Sequence, residues 1–236
     1  MNIKDVTLSK LAIACLMYNS LTPFNESLKL LKESTDGCID LTNPTHRESL
    51  LQWLNDWGCR NLARDQHKLA SKSILIWQQK YGASLFSGRK PIWNLKDNEL
   101  EAAAHSYGAL KDMPGAERIR NGKKQMVSIG ETAASKILFA IRPEALMPWD
   151  EAMRKRFKCD GRPDSYFNYL KIIQGLTCHI ADLCQAKGFK IDNLPKKLDR
   201  PDATVLALVN EYIWVTVTRG RALPPASILK QWAELG

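Results

Sequence analysis

Hydrophobic residues recur at helical spacing along most of the chain, and no long alternating stretch predicts a large sheet. Start signals such as Thr45 and Asp97, with prolines and glycines at the joints, bound the helical segments. The pattern predicts an all-α fold with helices over 7–18, 24–33, 46–57, 61–81, 97–111, 115–126, 131–142, 150–158, 164–187, 201–217 and 224–235. The segment 201–217 is β-branched enough that a strand is an alternative there.

Length and composition are those of a globular protein. The 236 residues can build one large domain or two intimate lobes. The apolar run LAIACLMY at 11–18 is far shorter than the roughly 20 residues that span a bilayer. Asp5 and the lack of a small-residue cleavage site argue against a signal peptide. We therefore expect a cytoplasmic protein with no membrane partner and no obligate protein partner.

The basic charge is concentrated after the first quarter of the chain. Residues 1–60 hold 6 Lys and Arg against 7 Asp and Glu, whereas residues 61–236 hold 28 against 18. A sequence pI near 9.3 favours a polyanionic partner, most commonly nucleic acid, although many basic proteins have none. The 61–81 segment carries basic residues on one face, which we interpret first as a solvated surface, and a second cluster, RIRNGKK, lies at 118–124.

The six cysteines do not indicate a metal site. None belongs to a CxxC pair, and several lie in apolar helical contexts, such as Cys15 and Cys184. They are typical of reduced core residues in a cytosolic protein. His179 and Cys184 have no second ligand pair at a suitable spacing. We expect no metal and no other cofactor.

A turn at 128–130 precedes an alanine-rich helix in the stretch SIGETAASKIL. A glycine at such a helix start can direct backbone N–H groups outward, and these groups bind phosphate. The predicted DNA contacts are Ser128, Gly130, Thr132, Lys123, Lys124 and Lys136. The alternative is a plain corner between two helices with a capping glycine.

The stretch MVSIGETAASKIL at 126–138 resembles the helix-hairpin-helix of the DNA glycosylase superfamily that includes endonuclease III and the adenine glycosylase MutY. That hairpin runs Leu-Pro-Gly-hydrophobic-Gly-x-x-Thr-Ala, and a catalytic aspartate follows about twenty residues after its second glycine. Gly130 matches the second glycine, and Asp150 in RPEALMPWDEAMRKRF stands twenty residues later. The resemblance covers about 126–157 and implies Asp150 as the catalytic residue. A weaker similarity extends to the segment that begins LLQWLNDWGC.

Several departures from the family pattern narrow the implied activity. Ser128 and Val127 stand where the family has the first hairpin glycine and its preceding proline. Thr132 occupies the position of the lysine nucleophile of bifunctional members, which implies a monofunctional enzyme. Only three cysteines follow Asp150, so an iron–sulfur cluster is not expected. Gln52 stands near the position of the catalytic glutamate of MutY-type enzymes and argues against their adenine mechanism.

The chemistry also supports a role for Asp150 independently of the family. Cleavage of an N-glycosidic bond develops positive charge on the sugar, and a carboxylate beneath C1′ stabilises it or activates a water. Asp150 can equally serve as the N-cap of the next helix, and the two roles are compatible. Since the base must leave the stack, a pocket is required. The residues predicted to form the walls of this pocket, or a wedge in the gap that the flipped base leaves, are Asn55, Asp56, Trp57 and Trp149. For Trp57, packing in the core is the alternative.

Together these features predict two helical lobes with a cleft between them. Residues 46–158 would form the lobe with the hairpin and Asp150, and residues 1–45 with 159–236 would form the other. The predicted function is excision of a flipped modified or damaged base from double-stranded DNA. A narrower hypothesis is an antiphage glycosylase that removes glucosylated hydroxymethylcytosine, ahead of an alkylated or other damaged base. The rival hypotheses are a non-catalytic helix-hairpin-helix DNA-binding module and a helical protein–protein adaptor.

Overall fold

A computed structural model of the chain describes residues 3–60, 62, 64, 67–85, 90–225, 227, 228, 231 and 234. These residues are mainly helical, which confirms the helical class. The described helices are α1 (Leu8–Leu21), α2 (Phe24–Glu33), α3 (Pro44–Asp56), α4 (His67–Tyr81), α5 (Asp97–Lys111), α6 (Gly130–Ile141), α7 (Glu151–Phe157), α8 (Pro163–Gln185), α9 (Leu194–Lys197) and α10 (Val205–Ile213). None of them is long and apolar enough to cross a bilayer.

Local signals account for most helix limits. Asn43 accepts a hydrogen bond from the Thr45 backbone N–H at 2.9 Å, and Pro44 begins α3, where a missing N–H costs nothing. The β-branched segment predicted over 201–217 is helical, and the α-helix α10 passes into a π-helical turn at Trp214–Thr218. The helix predicted over 224–235 and the start of that predicted over 61–81 lie largely outside the described residues.

The prediction of a helix over 115–126 is wrong, because this segment forms a β-hairpin. Strand β1 (Pro114–Arg120) pairs antiparallel with β2 (Lys123–Ser128). Asn121 and Gly122 join the strands with φ values of 52° and 71°. An Asn-Gly pair at positive φ gives the two-residue turn whose twist matches that of the strands. This two-residue signal in the sequence favours a hairpin over the predicted helix.

The hairpin changes the motif predicted at 126–138. Residues up to Ser128 belong to β2, and α6 begins at Gly130. Helix α5 packs against α6, and the β-hairpin lies between these two helices in the chain. The Ile129 backbone N–H donates to the Met113 carbonyl at 2.8 Å and closes this insertion at its base. The helix before the turn is therefore α5, at 97–111, rather than a helix over 115–126.

The buried apolar side chains form one continuous core. Within it α1 packs on α10, α3 on α4, and α5 on α8. The contact between α5 and α8 joins the predicted lobe 46–158 to the predicted terminal lobe. The division into two lobes stays a prediction. The helices α3, α6, α7 and α10 meet around the region that contains Asp150, which is described next.

Candidate active site

Asp150 caps α7 and also faces a cavity. Its Oδ1 accepts a hydrogen bond from the Met153 backbone N–H at 2.8 Å, which is the N-cap interaction. Its Oδ2 accepts from the Thr218 hydroxyl at 2.7 Å. Each carboxylate oxygen thus has one described partner, and the carboxylate has a defined orientation. The Asp150 side chain therefore both caps α7 and lines the cavity.

Two buried tyrosines from α8 hold the segment that leads to Asp150. The Tyr166 hydroxyl donates to the Met147 carbonyl, and the Tyr169 hydroxyl donates to the Pro148 carbonyl, each at 3.0 Å. Burial raises the pKa of both phenols well above the ordinary value, so both remain protonated donors. The backbone before Asp150 is therefore fixed from the α8 side.

Helix α6 fixes the same segment from the other side. The Ser135 hydroxyl accepts from the Trp149 backbone N–H at 3.1 Å. The Trp149 indole N–H donates to the Glu131 carbonyl at 3.2 Å, in the first turn of α6. Trp149 is 1% exposed and packs among the tyrosines of the core. The start of α6 and the position of Asp150 are consequently coupled through this tryptophan.

A cavity of about 260 Å³ opens beside Asp150. This is slightly below the roughly 300–1,000 Å³ of pockets for drug-sized ligands. Parts of the chain far apart in sequence meet in its walls. The aromatic wall residues are Tyr18, Phe24, Trp57, Trp149 and Trp214, and the polar ones include Thr132, Lys136, Asp150, Asn210, Thr218 and Arg219.

The aromatic walls are held by contacts with one another. The Phe24 ring lies 5.5 Å from the Trp57 ring and 5.9 Å from the Trp214 ring, centroid to centroid. The Trp57 indole N–H donates to the Phe24 carbonyl at 3.1 Å and approaches the Ser27 hydroxyl at 3.0 Å. Tyr18 packs edge-on against Trp214 at 5.1 Å. These walls are rigid, because each ring is packed or hydrogen-bonded on another side.

Two cationic side chains border the cavity. The Lys136 ammonium donates to the Trp57 carbonyl and lies 5.6 Å from the centre of the Trp57 ring. The exposed Arg219 guanidinium lies 4.7 Å from the centre of the Trp214 ring. Cations over aromatic faces are attracted by the ring quadrupole. Asp150 thus shares its cavity with positive charge at two places.

Two predicted pocket residues do not line the cavity. The Asn55 amide donates to the Leu51 carbonyl at 2.9 Å and lies 2.7 Å from His67 Nε2. Asp56 is exposed and accepts from Gln52 at 3.1 Å. Successive helical residues are rotated by about 100° around the axis, so neighbours of a wall residue at a helix end face elsewhere. Trp57 and Trp149 are the members of the predicted set that line the cavity.

The predicted DNA contacts fall into two groups. Thr132 and Lys136 line the cavity from α6, and the Thr132 hydroxyl accepts from Arg154 at 3.2 Å. The other residues lie on the hairpin or at its junction with α6. Ser128 is exposed at the end of β2, Gly130 begins α6 with φ 81°, and Lys123 and Lys124 are exposed on β2.

Several cavity residues were not predicted from the sequence. Tyr18 and Phe24 lie near the start of the chain, and Asn210, Trp214, Thr218 and Arg219 lie in and just after α10. The π-helical turn at Trp214–Thr218 carries the hydroxyl that reaches Asp150. Such turns occur frequently at functional sites. Its β-branched run was visible in the sequence, but nothing local indicated that it would meet Asp150.

A scan against protein-family models finds no match, and searches of curated proteins and of solved structures find none either.

No cluster of three or more His, Cys, Asp and Glu side chains that could hold a metal ion occurs within the described part of the chain. What the site offers chemically is a fixed carboxylate, aromatic walls and bordering cations in one cavity.

Proposed function

We propose that the protein is a monofunctional DNA glycosylase that excises a flipped base and leaves an abasic site. The observation that carries this proposal is the position of Asp150, whose oriented carboxylate faces an aromatic cavity of about 260 Å³. A base removed from the duplex needs flat apolar walls, and the bond to be broken needs a carboxylate beside it. Both features occur here within one cavity.

The proposed reaction breaks the bond between C1′ of the sugar and a nitrogen of the base. The bonding electrons leave with the base, and the Asp150 carboxylate stabilises the positive charge that develops on the sugar. A water then adds its oxygen to C1′ and gives up a proton, for which Asp150 is the acceptor. Thr132 offers no amine at the position implied by the resemblance, so the product is an abasic site in an intact strand.

The beginning of α6 and the β-hairpin support a DNA grip beside this cavity. Among the described residues, the Ile129 N-cap makes no side-chain cap hydrogen bond to α6, and uncapped N–H groups at a helix start are the kind that bind phosphate. The hairpin before it carries Lys123 and Lys124 on exposed positions. Phosphate contacts of this kind fix the position of a protein on DNA without reading its sequence. Cytoplasmic double-stranded DNA is the proposed partner.

We rank two classes of base as the proposed substrate. Glucosylated hydroxymethylcytosine in phage DNA comes first, which would make the protein an antiphage enzyme, and alkylated or otherwise damaged bases come second. The rival proposal of a non-catalytic DNA-binding module leaves Asp150 as a helix cap alone. The bond from Thr218 to the second carboxylate oxygen favours the catalytic proposal, because a cap requires only one oxygen.

A base-excision assay tests the proposal. Duplexes with uracil, alkylated purines, mismatches or glucosylated hydroxymethylcytosine are incubated with the wild-type protein and with Asp150→Asn, then treated with alkali. We expect strand cleavage after alkali on one of these substrates with the wild type alone. Equal DNA binding by both proteins without cleavage on any duplex would support the binding module. Absence of salt-dependent DNA affinity would support the protein–protein adaptor.

A further inference from the structure

Asn210 is a buried polar residue whose side chain has no hydrogen-bond partner among the described residues. It lies in α10, is 5% exposed, and lines the cavity beside Asp150. Buried carboxamides nearly always have partners, because an unpaired donor or acceptor loses its bonds to water. The Asn210 amide atoms are not among the sealed side-chain atoms without a partner, so they face the cavity, where water or a ligand supplies their partners.

The neighbouring buried polar residue shows the usual arrangement. Glu211 is 1% exposed, and both its oxygens are paired with Arg200, at 2.8 and 3.0 Å. It also accepts from the Asn25 amide at 3.1 Å. Glu211 is thus fully engaged within the protein. The adjacent Asn210 differs in that its side chain borders the cavity instead of another polar group.

We propose that Asn210 determines which base the cavity accepts, by donating from Nδ2 and accepting at Oδ1 along one edge of the bound ring. This inference rests on the proposed function, because it takes the ring to be a flipped base. The ligand class is a planar heterocycle that presents a donor and an acceptor side by side. The walls formed by Trp57 and Trp214 hold any flat ring, whereas the carboxamide distinguishes one edge from another.

The proposal predicts opposite effects on binding and on stability. Asn210→Leu keeps a similar volume and breaks no hydrogen bond within the described protein, so the melting temperature should stay the same or rise. The same change should abolish discrimination between bases. A purely structural asparagine would give the reverse result, with a lower melting temperature and unchanged discrimination. Asn210→Asp replaces the amide donor by an acceptor and should therefore alter the order of preference.

The first experiment titrates free adenine, cytosine, uracil and benzimidazole into the protein and follows tryptophan fluorescence, since Trp57 and Trp214 line the cavity. Benzimidazole is a flat control ring without an exocyclic polar group. We expect the wild type to bind one base roughly ten-fold more tightly than benzimidazole. Asn210→Leu should bind all four rings alike. Equal affinities in wild type and Asn210→Leu, or no ring bound by the wild type, would overturn the assignment.

The second experiment separates this inference from the proposed function. Relative excision rates on the duplex panel are compared between wild type and Asn210→Leu. Excision with the same base preference in both proteins would refute the role of Asn210 and leave the glycosylase intact. Discrimination between free bases that is lost in Asn210→Leu, with no excision by the wild type, would keep the reading role and refute the glycosylase.

Discussion

The Thr218 hydroxyl donates to Asp150 Oδ2 at 2.7 Å, across 68 residues of chain. A hydrogen bond to a carboxylate is worth more than one between neutral groups, and this one comes from a π-helical turn. The bond orients the carboxylate towards the cavity, so we expect the loss of the Thr218 hydroxyl to affect the reaction.

Thr218→Val is expected to lower the single-turnover excision rate by roughly ten-fold or more, because Asp150 loses one of its two orienting bonds. DNA affinity should not change. Thr216→Val is the matched control. The Thr216 hydroxyl donates to the Tyr212 carbonyl in the same turn, so its loss leaves the Asp150 bond in place. Equal rates for both variants would show that Thr218 does not position the carboxylate.

The two roles of Asp150 can be separated by two substitutions. Asparagine is as good an N-cap as aspartate, so Asp150→Asn should unfold at nearly the wild-type urea concentration while losing excision. Asp150→Ala removes the cap and should cost about 1 kcal/mol more in the free energy of unfolding. Urea titration of both variants gives the comparison. Measurable excision by Asp150→Asn would remove the carboxylate from the mechanism.

The exposed lysines of the hairpin should contribute to DNA affinity. Each phosphate contact contributes about 0.9 to the slope of log affinity against log salt. The double variant Lys123→Ala and Lys124→Ala should therefore reduce the magnitude of this slope by about 1–2. Lys187→Ala with Lys190→Ala is the control, since it removes the same charge from exposed positions elsewhere. Equal slopes for the two double variants would exclude the hairpin from the interface.

The product should be an abasic site without covalent capture of the enzyme. Lys136 borders the cavity, but its Nζ is held by a hydrogen bond to the Trp57 carbonyl. Borohydride added during turnover should trap no protein–DNA adduct, and strands should break only after alkali. A trapped adduct that disappears in Lys136→Gln would instead establish a bifunctional enzyme with this lysine as the nucleophile.

Two buried tryptophans should differ in their tolerance of phenylalanine. The Trp77 indole N–H donates to the Ser106 carbonyl at 2.9 Å, whereas the buried Trp53 indole N–H has no partner within the described structure. Both substitutions remove similar volume. Trp77→Phe should cost at least about 1 kcal/mol more than Trp53→Phe, because only Trp77→Phe breaks a hydrogen bond. Urea unfolding of the two variants measures this difference, and equal costs would mean that the Trp53 donor is satisfied.

Elements with strong local signals were predictable from the sequence. The limits of α2 and α5 match the predicted helices over 24–33 and 97–111. Asp150 as an N-cap followed from the helix after it. In each case the information lies within a few residues of the feature, so spacing and capping chemistry are sufficient.

The hairpin was missed although its signal is equally local. Residues 115–126 were predicted to be helical, whereas the Asn121-Gly122 pair determines a turn between two strands. The cavity is a different case. Tyr18 and Trp214 come into contact only through the packing of α1 against α10 and the turn after it. The residues next to each of them in the sequence do not indicate this contact.

The distribution of the cavity walls along the chain affects how the site is completed during synthesis. A nascent chain that has emerged through α8 already contains Asp150 and Trp57, but it lacks Asn210 and Thr218. Such an intermediate has a carboxylate without its second orienting bond and a cavity open on one side. The cavity is therefore complete only after α10 and the turn that follows it have been synthesised.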